Sequence, residues 1–508
     1  MANDTSSSDN QLVLSPFFEK LNNLQISRRA LPTLPEEGTI AQARKSLLKF
    51  LEAEGHDGWD EHLTSDIAPA LNAGSLSPNY YGFVTGGCTI PALFGDMLAS
   101  VYDQNVQVHL PNQTIATDVE ACALNMLLDL FRFDRDVWGQ SSTFTTGATA
   151  SNVLGLAMGR EWVLRRKAEE RGSHLLSVAE HGIHEVMADI GLRKFQIVST
   201  WPHSSIAKAA SIIGMGRANL ISVQGTLEPG GFTMRIDFNR LEAEAQVDNV
   251  ATILVISAGE VNTGRFATNG LEDMKRLRAI CDRYGIWIHV DGAFGLFGRL
   301  LSDEAEFGEI VRGCQGLELA DSITGDGHKL LNVPYDCGFY FCRHKGIPEE
   351  VFRNGNAVYL TSAASEDTRP SPLNIGIENS RRFRALPVYA TLLAYGRGGY
   401  LDMLQRQIRL ARKVVADLWD SEVYHVLSDA TSKTEALERT FMVVLFSARD
   451  DNLNADLVRR INATRKIYVS GTSWEGRSAA RIAIANWNVD VDKDHKIIQS
   501  VLNEVAER

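Results

Sequence analysis

Lys329, in the stretch ADSITGDGHKLLNVPYDCG (320–338), directly follows His328 and lies between apolar segments that read as strands. Taken alone, a lysine there is either a surface charge or a buried nucleophile, and lysine is rarely buried. Three other stretches bear on that choice. TTGATASNVLGLAMGREW (145–162) puts Gly147, Ala148 and Thr149 at the mouth of a helix. Free N–H groups and the helix dipole there favour a phosphate; a capped helix after a glycine turn is the plain alternative. WPHSS (201–205) sets His203 between a strand and a helix, able to stack on a ring, act as an acid, or sit satisfied in a turn. HVDGAFG (289–295) ends a strand on Asp291, whose carboxylate either caps the next turn or needs a cationic partner. Ala293 leaves room beside it for a flat ring. Ser322 can donate to a phosphate. A lysine in a dry pocket among dipoles sheds its proton and can form an imine with an aldehyde.

In chain order these are an anion cradle, a stacking histidine, a strand-end aspartate and a nucleophilic lysine. Pyridoxal phosphate needs each: a phosphate anchor, a stacking face, a partner for the pyridinium and a covalent attachment. The elements that must position them also have a pattern. Between about 140 and 345, apolar runs at 195–200, 251–258, 286–291 and 337–343 alternate with amphipathic segments at 149–170, 204–216, 270–284 and 303–313. Such alternation predicts an α/β fold with a mainly parallel sheet, where ligands bind beyond the carboxyl ends of the strands. Helical spacing recurs at 38–71, from about Pro91, and at 117–132. Residues 346–380 read as a long irregular connection. A helix near 386–420, strands within 440–448 and 479–487, and a helix near 492–506 predict a smaller α+β unit. The expected division is 1–110, an arm and helices for dimerisation and a pocket wall; 111–365, the large cofactor-binding unit; and 366–508, the small unit.

Composition narrows the partners. A net charge of −12 argues against nucleic acid or an anionic membrane surface. No apolar run is long enough to span a membrane, and MANDTSSSDN lacks the apolar core of a secretory signal. The six cysteines form no CxxC pair and read as free thiols of a reducing, cytoplasmic compartment. His181, His184 and Glu185 suggest a metal cluster but lack HExxH spacing and nearby cysteines, so no metal is expected.

The stretches TTGATASN (145–152), PHSS (202–205), HVDGAFG, ADSITGDGHKLLNVPYDCG, SRRFRAL (380–386) and ARIAIANW (480–487) resemble those of the group II pyridoxal-phosphate-dependent amino acid decarboxylases. That family belongs to the fold type I, aspartate aminotransferase-like enzymes, and the resemblance spans about 75–490. It implies that Lys329 holds the cofactor covalently. It implies phosphate contacts from Ser322, His328, Gly147, Ala148 and Thr149. His203 would stack on the ring and Asp291 would partner the pyridinium, with Ala293 beside it. Tyr80 and Tyr81 match an aromatic pair lining the substrate pocket, and Arg481 an arginine near the substrate carboxylate. The family is dimeric, which implies a homodimer with the active site at its interface. The implied activity is decarboxylation of an L-amino acid to an amine and carbon dioxide. One departure opens an alternative: the loop 360–374 lacks the tyrosine that protonates the carbanion in many members, and Tyr359 lies just before it. Members without that tyrosine divert to aldehydes by oxidative deamination. Carbon–carbon cleavage, transamination and a non-catalytic interaction protein complete the alternatives.

Overall fold

Runs of β-branched and aromatic residues, too apolar to face water on either side, build the central sheet. The structure, a computed structural model, describes residues 19–20, 22–23, 32–48, 58–227, 231–354 and 369–507. The first strands are β1 (Thr143–Thr145), β2 (Lys194–Ser199) and β3 (Leu220–Ser222). A separate hairpin, β4 (Gln224–Leu227) and β5 (Gly231–Ile236), interrupts them. Then come β6 (Val250–Ser257), β7 (Trp287–Asp291), β8 (Ser322–Asp326) and β9 (Gly338–Cys342). The spatial order is β1-β9-β8-β7-β6-β2-β3. β3, β2, β6, β7 and β8 run parallel, whereas β9 runs antiparallel to both of its neighbours. The predicted strands at 195–200, 251–258, 286–291 and 337–343 are β2, β6, β7 and β9, each shifted by a residue at most. SITGD, which forms β8, was outside the strand expectations. It is short with a single large apolar residue, and pairing to β7 and β9 makes it a strand.

The helices that cover and flank this sheet are α1 (Ile90–Tyr102), α2 (Ala116–Leu130), α3 (Ala148–Glu170), α4 (Ser204–Ile212), α5 (Leu271–Tyr284) and a single turn, α6 (Gly327–Leu330). α3 buries Val153, Leu154, Leu156 and Met158 against Ile197, Ile253 and Val255 of the sheet. Beyond them runs α7 (Ala385–Trp419), broken at Gly396, whose φ of +55° lies where glycine is favoured. The connection 346–380 is less irregular than its sequence predicts, since it holds a short helix at Ile347–Phe352.

A second sheet follows from β10 (Tyr424–Val426), β11 (Val443–Ala448), β12 (Ser470–Trp474) and β13 (Arg477–Ala483), all antiparallel in the order β10-β11-β13-β12. α8 (Asp451–Ala463), α9 (Val491–Glu507) and the end of α7 bury one face of it through Val414, Phe446, Leu457, Ile482 and Val501.

The SRRFRAL segment fastens the connection to the large sheet. Arg381 Nη1 donates to Glu120 at 2.9 Å and Nη2 to the Phe144 carbonyl of β1 at 2.9 Å, with both charged side chains buried. Arg384 Nε reaches Asp336, next to the lysine turn, at 2.7 Å. Removing one partner of a buried pair leaves the other charge uncompensated. Arg381→Ala is expected to lower stability by about 3–5 kcal/mol, measured by urea unfolding. Arg382→Ala, which loses a mostly exposed pair with Asp96, should cost less than about 1 kcal/mol.

Candidate active site

Four of the predicted functional segments arrive at the carboxyl edge of a strand, where an α/β sheet opens to ligands. β1 ends at Thr145 and α3 starts at Ala148; β2 ends at Ser199, and His203 caps the start of α4. β7 ends on Asp291, and β8 ends on Asp326 and feeds α6 with His328 and Lys329. Together they enclose a cavity of about 640 Å³. Gly147, Ala148, Thr149, His203, Asp291, Ala293, His328 and Lys329 all line it. Phe83 and Val84, Ser470 to Thr472 of β12, and Arg481 of β13 close the remaining sides.

Lys329 faces a carboxylate rather than dipoles alone. Its Nζ lies 3.1 Å from Asp326 Oδ2, with 17% of the side chain exposed. Asp326 Oδ1 accepts the Ala148 N–H at 2.6 Å, which ties the lysine turn to the mouth of α3. Asp326 is missing from the sequence expectations, although an acidic residue at a strand end three positions before Lys329 was a readable signal. The chain at Gly86 presses on the same turn: a Cβ there would meet the Lys329 carbonyl oxygen at 1.7 Å, so only glycine fits.

Asp291 is buried, with its carboxylate held by two donors. Oδ1 accepts from the Ala293 N–H at 3.3 Å and Oδ2 from Asn152 Nδ2 at 3.0 Å. Among the described residues it forms no ion pair. His203 accepts at Nδ1 from Ser205, whose hydroxyl is 2.7 Å away, and burial lowers its pKa below the ordinary imidazole value. His328 packs its ring 4.5 Å from that of Tyr335, and its Nδ1 is buried without a hydrogen-bond partner. Arg481 is 4% exposed. Its Nε donates to the Val261 carbonyl at 2.6 Å, and one Nη is buried without a partner. Burial brings its pKa down to about 10.

Three expected site residues, Ser322, Tyr80 and Tyr81, do not line this cavity. Ser322 is fully buried and does not reach the cavity; its hydroxyl receives Trp287 Nε1–H at 3.0 Å and faces His289 Nδ1 at 2.8 Å. It starts β8, whereas the cavity opens at Asp326, about 13 Å further along the strand. Tyr81 has no exposure; it lies in the core beneath the second sheet, with its hydroxyl accepting from Asn79 at 2.9 Å. Neighbours in an extended segment point opposite ways, so the pair 80–81 cannot share one wall. Tyr80 stacks on Tyr468 at 4.6 Å and lines an adjoining cleft of about 400 Å³ with Phe83 and Tyr335. His181, His184 and Glu185 are exposed. Tyr359 and residues 360–368 of the loop are outside the described residues.

The residues missed by sequence reasoning lie under the site. His289 is fully buried, and burial lowers its pKa from the ordinary 6.5 to about 4. A Cβ at Gly155 of α3 would meet the His289 ring at 2.3 Å, so the glycine lets helix and strand approach.

A model of the pyridoxal-dependent decarboxylase conserved domain matches residues 51–438. The chain belongs to the pyridoxal-dependent decarboxylases. It is 27% identical over 384 residues to an L-2,4-diaminobutyrate decarboxylase of Acinetobacter baumannii, covering 73% of this chain and 69% of that one. It is 21% identical to a phenylacetaldehyde synthase of a Rosa hybrid cultivar, covering 84% and 82%. The crystal structure of Oryza sativa TDC with PLP and tryptamine superposes with a TM-score of 0.78 at 20% identity, covering 100% and 99%. The fold is therefore that of the fold type I decarboxylases, and pyridoxal phosphate is the cofactor.

The residues present fit that group. A mouth of small residues opens the 23-residue α3, whose first N–H groups have no intrahelical acceptors. Asp291 is a buried carboxylate without a cation, Lys329 is an amine at the cavity wall, and the unpartnered nitrogens of His328 and Arg481 belong to residues lining the same space.

The lowered pKa of His289 has a consequence for stability. Unfolded chains take up a proton at this histidine as pH falls below 6.5, while the folded protein does not until about 4. Stability is thus full above pH 6.5 and declines through that window, by about 3 kcal/mol from this group at its lower end. Urea midpoints measured between pH 7 and 4.5 should fall more steeply for the wild type than for His289→Gln.

Proposed function

We propose that the protein removes the α-carboxyl group of an L-amino acid, releasing an amine and carbon dioxide, with pyridoxal 5'-phosphate attached at Lys329. One observation carries the reading: four separate stretches of chain bring an amine, a buried carboxylate, an imidazole and a helix mouth to one cavity. When bound, the cofactor supplies an electron sink for the bond broken at the substrate's α-carbon. The chain does the rest. The mouth of α3 at Gly147, Ala148 and Thr149, with His328, would hold the phosphate, the Ala148 N–H exchanging Asp326 for it. Asp291, held by its two donors, would face the ring nitrogen and partner the proton there. His203 supplies a flat face, and Ala293 the room for it. Arg481 has Nε committed to Val261, which leaves its Nη groups to meet the substrate carboxylate. His203 is neutral at neutral pH, as its lowered pKa requires. Lys329, paired with Asp326, is the better carrier of the proton returned to the substrate.

Decarboxylation coupled to oxidation by molecular oxygen, in which amino acid, oxygen and water give an aldehyde, carbon dioxide, ammonia and hydrogen peroxide, is the second reading. The absence of tyrosine from 360–374 favours it, as does the likeness to a phenylacetaldehyde synthase. The protein is further proposed to act as a cytoplasmic homodimer. Ile90, Phe94, Val101 and Tyr102 of α1 and Leu393 of α7 are exposed, an apolar surface suited to a second copy. All six cysteines are free thiols, as suits a reducing compartment. The division at about 110 and 365 fits the distribution of the two sheets.

Incubation with a panel of L-amino acids should yield amine and carbon dioxide; aldehyde with ammonia would transfer the assignment to the second reading. Borohydride reduction followed by peptide mapping should mark Lys329 alone. Lys329→Ala should lose the visible absorption of the attached cofactor and at least about 100- to 10,000-fold of the rate. Retention of both would end the proposal.

A further inference from the structure

Beneath the cavity floor runs a chain of buried hydrogen bonds whose direction is fixed. The Trp287 indole can only donate, and it donates to Ser322 Oγ at 3.0 Å. The Ser322 hydroxyl lies 2.8 Å from His289 Nδ1. His289 is buried and neutral; because Asn152 gives its Nδ2 to Asp291 and turns its Oδ1 to His289, Nε2 carries the hydrogen and Nδ1 accepts. Nε2 lies 2.9 Å from Asn152 Oδ1. The Asn152 amide then spends both of its hydrogens, one on Asp291 Oδ2 at 3.0 Å and one on Ser205 Oγ at 3.0 Å. Ser205, having accepted, donates its own hydrogen to His203 Nδ1 at 2.7 Å, and the Ser205 backbone N–H meets the same nitrogen at 3.2 Å. Asn152 has no solvent exposure. Its amide cannot be reversed without setting donor against donor at His289.

We infer that Asn152 is a positioning residue which couples the two groups that hold the cofactor ring, Asp291 at its edge and His203 at its face. One amide reaches both: it gives Asp291 a donor, and it turns the Ser205 hydroxyl toward His203 Nδ1. Asp291, Asp326, Lys329 and Arg481 are the charged groups that bear on His203. None of them dictates which ring nitrogen carries hydrogen; the Ser205 backbone N–H and hydroxyl do, and the amide sets the hydroxyl. The coupling rests on the assignment of the cavity to pyridoxal phosphate.

The test uses Asn152→Leu and Ser205→Ala. Binding of pyridoxal phosphate is measured by fluorescence titration, and His203 is titrated by NMR in the cofactor-free protein. Asn152→Leu removes both donors. It is expected to weaken cofactor binding about 10- to 100-fold, and to move the His203 titration midpoint upward, because the freed Ser205 hydroxyl can now accept from a protonated Nδ1. Ser205→Ala breaks only the histidine arm: it should change the His203 titration with a far smaller loss of cofactor affinity. A purely structural asparagine would lower the unfolding midpoint and leave the His203 titration in place. An unshifted His203 midpoint in a folded Asn152→Leu protein, or equal affinity losses in the two variants, would overturn the coupling. Failure of the wild type to bind pyridoxal phosphate would instead overturn the functional assignment beneath it.

Discussion

A carboxylate at the end of a buried strand is the constraint to which the rest of this structure answers. Asp291 is carried by β7, in the middle of the seven-stranded sheet, and a bare charge there would be several kcal/mol too costly to keep. Two donated hydrogen bonds lessen that cost, and one of them comes from α3. The helix therefore has to lie close over the strand, and Gly155 permits the approach. The same closeness delivers the mouth of α3 to the lysine turn, where Asp326 takes the Ala148 N–H. Anion cradle and cation partner are thus set by one packing contact between helix and sheet.

The second sheet serves this arrangement from the opposite side. Its antiparallel strands bury one face on α7, α8 and α9, and the other lends β12 and Arg481 to the cavity. Arg481 can sit unpaired at one nitrogen because its neighbour Val261 satisfies another. A guanidinium kept dry in this way differs from the many surface arginines already paired.

Much of the site could be read from the sequence because its main residues break a pattern. Lys329, His203 and Asp291 interrupt or terminate apolar runs, and 147–149 are small residues where a helix begins. Their positions follow from strand-to-helix junctions alone. Asn152 and His289 were not legible, because their roles depend on which strand lies beside which. The order β8-β7-β6-β2 brings His289, Ser322 and Asn152 together, and nothing in the local sequence states that order. Ser322 and Tyr81 fail for a related reason. Position along a strand and alternation across it decide where a side chain points, and both depend on register that the motifs do not encode. β8 itself escaped notice because its neighbours, not its composition, make it a strand.

The reversal of β9 has a mechanical consequence. Had β8 continued into another parallel strand, the lysine would have ridden on a crossover connection of helix length. Because β9 turns straight back, Asp326 and Gly338 are opposite one another in the ladder, and the chain between them is pinned at both feet. Lys329 sits in the segment 327–337 between those feet, and the Gly327 and His328 N–H groups both bond to the Cys337 carbonyl, so the two ends of the segment are tied to each other beside the lysine.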